Sequence, residues 1–326
     1  MAESNVRLPQ LSVILVTTDC YATIRETALR LAAQSARDRL ELIIVAPTDT
    51  DLGLVESDLD HFQSVRLVRV DEIRSLGSAK VAGLPFVHAP VVAFGEDHAY
   101  PDPGWAEALI AAHEEPWAAV GPAILNANPG SSLSWANLFI SFGPWVERTT
   151  SGRVRGLPWH NTSYKLNLLL DYGPALEDML NVEGIMQADL NAKGRQFYLE
   201  VSAKISHVNI TRVPSFVREQ FHSGRWFAAR RAQYGRWSLG KRLLYVIGSP
   251  VLPVLRLWRT SRDIRRTGKQ KLFLGMLPWL SLGLVLHSAG EAVGYILGVG
   301  NSPHGKFELE HHRTRHISKA LSGIHE

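Results

Sequence analysis

Short apolar runs alternate with amphipathic segments from the start of the chain to about residue 208. The apolar runs are continuous, which is typical of parallel strands covered on both faces. These predicted strands are residues 11–16, 40–46, 65–70, 91–94, 117–120 and 197–208. Apolar positions at helical spacing predict helices at residues 21–35, 78–88, 105–113 and 175–193. The alternation favours an open, mostly parallel α/β sheet, which binds ligands at the carboxyl ends of its strands.

The pattern changes in the last third of the chain, where two apolar runs occupy residues 243–257 and 272–286. Pro250, Pro253 and Pro278 interrupt them, and each run is shorter than the roughly 20 apolar residues that a membrane-spanning helix needs. Basic residues border both runs on both sides, which the positive-inside rule places on the cytoplasmic face. We therefore expect interfacial or re-entrant helices, with core helices of a soluble second domain as the alternative.

Two polar residues, His287 and Glu291, separate the second apolar run from a shorter one at residues 292–297. Ionisable side chains are costly when they face lipid. We therefore expect both side chains to face protein or lipid headgroups.

The net charge of the 326 residues is only +4, but the positive charge is concentrated between residues 220 and 271, where Asp263 is the only acid. Such a basic belt attracts phosphate groups, whether of nucleic acid, nucleotide or anionic lipid. Cys20 is the only cysteine, so no disulfide forms within the chain, which fits a reducing compartment. Residues 1–10 are polar and lack the apolar core of a secretory signal.

Three hydrophilic side chains, Glu96, Asp97 and His98, follow directly after the predicted strand at residues 91–94. An α/β sheet exposes its ligand-binding edge at that point. Carboxylates suit Mg²⁺ or Mn²⁺, and an imidazole is a more natural ligand for Mn²⁺. These residues are candidate ligands for a divalent cation. The alternative is a solvated turn at the end of a strand.

Glu183 lies on the apolar stripe of the predicted helix at residues 175–193. Its neighbours on that stripe are Leu176, Met179, Met186 and Leu190. We expect desolvation to raise the pKa of Glu183, which suits a general base. The alternative is a partly buried glutamate that pairs with an arginine.

Two further residues are candidates with weaker support from the pattern. His207 stands near the end of the predicted strand at residues 197–208, where a single histidine is more often structural than a metal ligand. Arg225 lies between Gly224 and Trp226, and a guanidinium binds phosphate oxygens bidentately. The alternative for Arg225 is an ordinary surface arginine in a basic region.

The order of these features resembles that of the inverting GT-A glycosyltransferases of the family 2 type, whose members make polysaccharides and glycolipids. The resemblance covers residues 11–230. It rests on the opening LSVILVTTD, on SLGSAKVAG from Ser75, on VVAFGEDHAYPDPGW from Val91 and on WHNTSY from Trp159. Glu96 and His98 fall on the two acid positions of the family's DXD motif. Glu183, eleven residues before Gly194, is in register with the second acid of its Glu-Asp pair.

The resemblance implies a role for each matching residue. Glu183 would be the catalytic base, and the cation, Mn²⁺ or Mg²⁺, would be held by Glu96, Asp97, His98 and His207. The nucleotide-sugar would be bound by Thr17, Asp19, Asp49, Lys80, Glu96, Asp97 and Arg225. The chain departs from the family after the second strand, where Ala46-Pro-Thr-Asp49 replaces Asp-Asp-Gly-Ser. This departure puts recognition of uracil, and so a uridine donor, in doubt.

These inferences predict a domain organisation and a function. We expect an N-terminal tail at residues 1–10, a GT-A domain at residues 11–230, and a basic, helical, membrane-associated region at residues 231–326. The function we expect is sugar transfer with inversion from a nucleotide-sugar to a glycan or lipid-linked acceptor. It would take place at the cytoplasmic face of the cell membrane, with membrane lipids as partners and no nucleic acid. The alternatives are a nucleotidyltransferase and a catalytically inactive nucleotide-sugar-binding protein on the membrane.

Overall fold

A mixed sheet organises the first part of the chain in the structure, a computed structural model that describes residues 8–318. Most of the predicted tail at residues 1–10 lies outside the described residues. The strands are β1 (Leu11–Val16), β2 (Leu40–Pro47), β3 (Ser64–Val70), β4 (Val91–Phe94), β5 (Ala99–Pro101), β6 (Ala119–Asn126), β7 (Gly152–Val154), β8 (Ser163–Lys165) and β9 (Phe197–His207). Their order across the sheet is β3-β2-β1-β4-β8-β6-β9-β5, and β7 pairs with β9.

The sheet has a parallel half and an antiparallel half. In the parallel half β1 pairs with β2 and β4, and β2 pairs with β3, with Leu11 opposite Leu40. Every residue of β1 and β4 is buried, as the continuous apolar runs predict. The antiparallel half begins where β8 pairs with both β4 and β6. The predicted α/β sheet is therefore confirmed, and the strands that sequence analysis missed are the short β5, β7 and β8.

Twelve α-helices are present in the part of the chain that the structure describes. They are α1 (Tyr21–Ala32), α2 (Leu76–Gly83), α3 (Trp105–Ala112), α4 (Ser132–Phe142), α5 (Leu166–Leu170), α6 (Leu176–Asn181), α7 (Glu183–Ala192), α8 (Val213–Tyr234), α9 (Leu239–Gly248), α10 (Leu252–Arg266), α11 (Phe273–Leu297) and α12 (Ser302–Glu310).

The chain forms two compact units. The first contains residues 1–123 and 149–206, and the second contains residues 124–148 and 207–326. The first unit holds most of the sheet with its helices, and the second is largely helical. In this division α4 and α8 belong to the second unit, and the expected domain boundary at residue 230 stays a prediction.

The predicted single helix at residues 175–193 is wrong in one respect that matters for the site. The backbone of Val182 leaves the helical region, with φ −139° and ψ 73°, and divides the segment into α6 and α7. Glu183 therefore begins a helix, and does not lie in the middle of one. A carboxylate is favoured in a first helical turn by the exposed N–H groups there. As predicted, Gly194 ends the segment with a positive φ of 77°.

Tight packing of α8 against α11 is the core of the second unit. A Cβ on Gly290 would overlap the backbone oxygen of Phe221, so only glycine allows the two helices to approach this closely. The helix α11 continues through Pro278 without a break, which corrects the expectation of separate runs. Glu291 is buried and receives a hydrogen bond of 2.6 Å from Arg256, which confirms that this carboxylate faces protein.

Among the described residues, one segment, Gln270–Leu297, is long and apolar enough to cross a membrane by length and composition. Core helices of soluble proteins meet the same two criteria. Part of the segment is buried within the second unit, at residues that include Met276, Leu280, Leu284 and Tyr295.

Candidate active site

Glu96, Asp97 and His98 leave the carboxyl end of β4, as the sequence predicts. Two contacts fix Glu96 within the first unit. The Oγ1 atom of Thr27 donates to its backbone oxygen at 2.8 Å, and the Nδ2 atom of Asn161 donates to its Oε2 atom at 2.6 Å. The side chain of Glu96 is therefore held at the edge of the sheet and does not move freely as in a solvated turn.

His98 is buried, with 2% of its surface exposed, and the two nitrogens of its ring have different surroundings. The Nδ1 atom is hydrogen-bonded to the carboxylate of Asp97. The Nε2 atom faces Glu96, at 3.7 Å from Oε1. A carboxylate on the other ring nitrogen is the usual arrangement for a histidine that ligates a metal, because it fixes the tautomer and the ring orientation.

His207 is the last residue of β9, and the chain enters the second unit at this residue. Its ring packs edge-on against Phe142, with the centroids 4.8 Å apart. Its Nδ1 atom lies 3.1 Å from the side-chain oxygen of Asn209. Donation from Nδ1 to this oxygen puts the lone pair on Nε2, the form in which a neutral imidazole binds a metal.

Glu183 is the centre of a buried polar cluster in the first unit, and 3% of its surface is exposed. The ammonium of Lys80 lies 2.7 Å from Oε1, and the hydroxyl of Tyr164 donates to Oε2 at 3.1 Å. The backbone N–H of His160 donates to the same Oε2 atom at 3.3 Å. Gln187, one turn further along α7, donates to the Tyr164 hydroxyl at 3.1 Å. Glu183 therefore pairs with a lysine, and not with an arginine as the alternative prediction had it.

The predicted rise in the pKa of Glu183 is wrong. Burial does raise the pKa of this carboxyl, but the charges of Lys80 and His160 and the hydrogen bonds from Lys80 and Tyr164 outweigh burial and hold it below its ordinary value. Burial beside the charge of Glu183 raises the pKa of Tyr164 well above its ordinary value, so this hydroxyl stays a donor. Glu183 is consequently a carboxylate at neutral pH.

A strained pair of residues, His160 and Asn161, connects the two acidic positions. Their φ angles are 60° and 54°, in the left-handed region that non-glycine residues seldom adopt. The N–H of His160 reaches Glu183, while the side chain of Asn161 reaches Glu96 and its N–H donates to the Phe94 oxygen at 2.9 Å. One short turn therefore holds the carboxylates of Glu96 and Glu183 in a fixed relation.

The other residues predicted to bind the nucleotide-sugar have structural contacts of their own. The carboxylate of Asp19 accepts hydrogen bonds from the N–H of Cys20 at 2.7 Å and from the hydroxyl of Thr23 at 2.8 Å, at the start of α1. Thr17 is buried and donates to the backbone oxygen of Cys20 at 2.8 Å. Asp49 is exposed in the turn after β2. All three lie at the carboxyl ends of β1 and β2, where a parallel sheet binds ligands.

Arg225 lies within α8 of the second unit. Its Nε atom donates to the backbone oxygen of Gly298 at 2.9 Å, and its guanidinium packs against Gly300. Gly224, next to it, is required for the approach of α8 to His287 of α11. The motif around Arg225 therefore has a packing role, and its contact with a diphosphate stays a prediction.

Sequence analysis missed four residues that shape the site: His160, Asn161, Tyr164 and Gln187. The first three stand in the WHNTSY segment, which resembles a loop of the family. This resemblance pointed to the segment but gave none of its residues a role. Gln187 follows Glu183 by four residues, the spacing at which two side chains share a helix face.

The chain was compared with known proteins. Residues 12–170 match the model of glycosyl transferase family 2. No curated protein sequence matches the chain. The solved structures that resemble it include GalNAc-T7 with UDP, GalNAc and Mn²⁺, at 12% identity and a TM-score of 0.46 over 63% of this chain and 44% of that one. This chain therefore spans less than half of the length of that relative.

Two further solved structures resemble most of the chain. The mannosyltransferase PcManGT from Pyrobaculum calidifontis, in complex with GDP-Man and Mn²⁺, has 15% identity and a TM-score of 0.47 over 95% of this chain and 83% of its own. S. aureus TarS has 15% identity and a TM-score of 0.45 over 90% of this chain and 55% of its own.

The sheet order and the match of residues 12–170 to this family model support the GT-A fold that the sequence predicts.

Proposed function

We propose that this protein transfers a sugar with inversion from a nucleotide-sugar to an acceptor hydroxyl. The observation that carries the proposal is the buried carboxylate of Glu183 at the start of α7, held by Lys80, Tyr164 and His160. A carboxylate in this setting is ionised and fixed in position, the two properties that a general base needs before proton transfer.

In the proposed reaction Glu183 takes the proton from the acceptor hydroxyl while the hydroxyl oxygen attacks the anomeric carbon. The bond from that carbon to the diphosphate oxygen breaks in the same displacement, and the nucleoside diphosphate leaves with the electron pair. Tyr164 and the N–H of His160 hold Oε2 of Glu183, so the carboxylate keeps its orientation through this step.

The residues at the end of β4 fit a divalent cation, Mn²⁺ or Mg²⁺. Glu96 and the Nε2 atom of His98 would hold it, and Asp97 would orient the His98 ring through Nδ1. His207, whose Nδ1 atom is engaged by Asn209, is proposed as a further ligand on the family resemblance. A cation bound there would neutralise charge on the leaving diphosphate.

The donor would lie at the carboxyl ends of β1 and β2, beside Thr17, Asp19 and Asp49. Lys80 is proposed as a further donor-binding residue on the family resemblance, and its ammonium also lies 3.1 Å from the Nδ1 atom of His160. The absence of the family's Asp-Asp-Gly-Ser leaves Asp49 and Asp51 as the acids nearest to the expected base-reading position.

An exposed apolar stripe on α9 and α10 supports action at a membrane. Its residues recur every three or four positions and point into solvent, with Leu239 at 77% and Ile247 at 76% exposure. The stripe consists of Leu239, Leu243, Ile247, Val251, Val254 and Trp258. Lys241 and Arg259 are exposed between these positions, and each is worth about 1 kcal/mol near an anionic leaflet. We propose that this face lies on the cytoplasmic leaflet and gives access to a lipid-linked or saccharide acceptor.

A thermal-shift screen of nucleotide-sugars, each with and without Mn²⁺, tests the donor and the cation together. A ligand that binds only the folded state raises the melting temperature by mass action. We expect one nucleotide-sugar to stabilise the protein, and to do so more strongly with Mn²⁺. If no nucleotide-sugar shifted the melting temperature under either condition, the proposal would be wrong.

A further inference from the structure

Three arginines line one concavity on the first unit, and the proposed reaction uses none of them. Arg153 and Arg155 come from β7 and the residues after it, and Arg195 follows the C-terminal end of α7. The cavity has a volume of about 860 Å³ and its other walls include Val154, Ala188 and Asn191. We call the site formed by Arg153, Arg155 and Arg195 the arginine pocket.

The positive charge of the arginine pocket is not compensated within the described chain. None of the three guanidiniums donates a hydrogen bond to a described residue or pairs with a described carboxylate. Elsewhere in the first unit, Arg25 and Arg30 are paired with Asp58 and Glu26. Like charges that line one cavity without a counter-charge repel each other, and an anion relieves that repulsion. Guanidiniums bind phosphate and carboxylate oxygens through paired N–H groups.

The chain links the arginine pocket directly to Glu183. Residues 155–160 run alongside α7 in the opposite direction, as three hydrogen bonds show. Asn191 donates to the Arg155 oxygen at 2.7 Å, the Leu157 N–H donates to Gln187 at 2.9 Å, and the His160 N–H reaches Glu183. Glu183 and Asn191 are eight residues apart on one helix, which corresponds to about 12 Å.

An exposed aromatic ring belongs to the same segment, residues 155–160, that runs alongside α7. Trp159 is 39% exposed, and its indole packs over Gly184 in the first turn of α7. Any larger residue than glycine at position 184 would press on this ring. A partly exposed indole offers a flat apolar surface on which a sugar ring can pack.

We propose that the arginine pocket binds an anionic group of the acceptor, a phosphodiester or a carboxylate, while Glu183, about 12 Å along α7 from Asn191 in the pocket wall, deprotonates the acceptor hydroxyl. That the bound molecule is the acceptor rests on the proposed function, whereas the binding of an anion does not. A lipid surface is the less favoured occupant, because the pocket walls carry only small apolar side chains and no exposed large ones.

Equilibrium binding of short oligomers to the full-length protein tests the proposal. The probes are an oligogalacturonate, which carries carboxylates, an oligo(glycerol phosphate), which carries phosphodiesters, and a neutral dextran oligosaccharide. We expect one anionic oligomer or both to bind and the dextran to bind weakly. The difference between the two anionic oligomers identifies the anion.

Variants of the pocket give the decisive comparison. Arg153→Ala and Arg195→Ala should each weaken binding of the anionic oligomer at least about tenfold, because each loses a charge-assisted hydrogen bond. Arg37→Ala is the matched control, since Arg37 is also exposed but lies outside the pocket, and it should bind as the unmodified protein does. Circular dichroism confirms that each variant is folded.

Three outcomes would overturn the proposal. Unchanged affinity in both pocket variants would remove the site, and an equal loss in Arg37→Ala would reduce it to general surface charge. If the two pocket variants bound the oligomers normally but bound anionic phospholipid vesicles more weakly than the unmodified protein does, the pocket would be a membrane contact. Binding should persist in Glu183→Gln. Anion binding and sugar transfer are tested separately. If the oligomer binds but the unmodified protein transfers no sugar, the arginine pocket is still an anion site, and its role in binding an acceptor is wrong together with the proposed function.

Discussion

The ammonium of Lys80 lies 2.7 Å from the carboxylate of Glu183, and both side chains are buried in the first unit. Contacts between α2 and α6 bring the two residues together. Asn181 accepts a hydrogen bond of 2.9 Å from the N–H of Gly77, at a point where a Cβ on Gly77 would overlap the Glu177 oxygen. The next residues of the chain are Val182 and Glu183, so this contact places the base opposite Lys80.

Replacing Lys80 by methionine should shift the acid limb of the kcat/KM profile to higher pH. Burial raises the pKa of Glu183, and Lys80 is the largest influence that lowers it, so without the ammonium the pKa rises. Only the carboxylate form accepts a proton, hence activity falls as pH drops through that pKa. The direction follows from the loss of the close opposite charge, which favours the carboxylate.

The Lys80 experiment has two controls. Lys80→Arg keeps the charge and should keep the acid limb near its original position. Lys193→Met removes a lysine that pairs with Asp189 but is 58% exposed, and should leave the profile unchanged. Loss of one partner of a buried pair costs about 3–5 kcal/mol, so thermal unfolding must show that Lys80→Met is folded. A folded Lys80→Met with an unmoved acid limb would contradict the role assigned to the pair.

Cation binding should depend on His98 and on the residue that orients it. His98→Ala removes a proposed ligand, and Asp97→Asn alters the group on its Nδ1 atom. We expect the second change to weaken Mn²⁺ binding by roughly 10–100-fold. Mn²⁺ titration followed by electron paramagnetic resonance measures this affinity without any assay of turnover.

The control for the cation experiment is His61→Ala, because His61 is exposed and distant in sequence from the proposed ligands. Its Mn²⁺ affinity should equal that of the unmodified protein. If His98→Ala bound Mn²⁺ normally, Glu96 and His98 would not be the cation site.

Membrane binding should depend on the apolar stripe of α9 and α10. Ile247→Glu places a charge where the protein is proposed to enter the lipid, and removes a side chain whose burial is worth about 1.5–3 kcal/mol. We expect at least tenfold weaker flotation with anionic vesicles. Gln233→Glu adds the same charge at an exposed polar position of α8 and should float normally. Equal flotation of the two variants would exclude the stripe as the membrane contact.

The elements that sequence analysis predicted correctly depend on local patterns. The buried runs of β1, β2 and β4 are continuous in the sequence, and Glu96 follows β4 directly. The Lys80–Glu183 pair was not predictable, because 103 residues separate its members and no periodicity connects them. That pairing also reversed the expected direction of the pKa of Glu183, since burial alone had been considered.

Backbone departures account for the remaining errors. The break at Val182 moved Glu183 from the middle of a helix to its start, and the left-handed residues His160 and Asn161 give no signal in a hydropathy pattern. Pro278 was expected to interrupt an apolar run, yet α11 continues through it, because packing against α8 supports the helix along its length. Tertiary contacts decided each of these points.

The most direct test of the central claim is the turnover of Glu183→Gln. This change keeps the shape of the side chain and its hydrogen-bonding position but removes its basicity. With the nucleotide-sugar that stabilises the protein, and with Mn²⁺ present, release of nucleoside diphosphate should fall by roughly 10²–10⁴ while donor affinity is retained. Near-normal turnover in this variant would contradict the assignment of Glu183 as the base and, with it, the proposed mechanism.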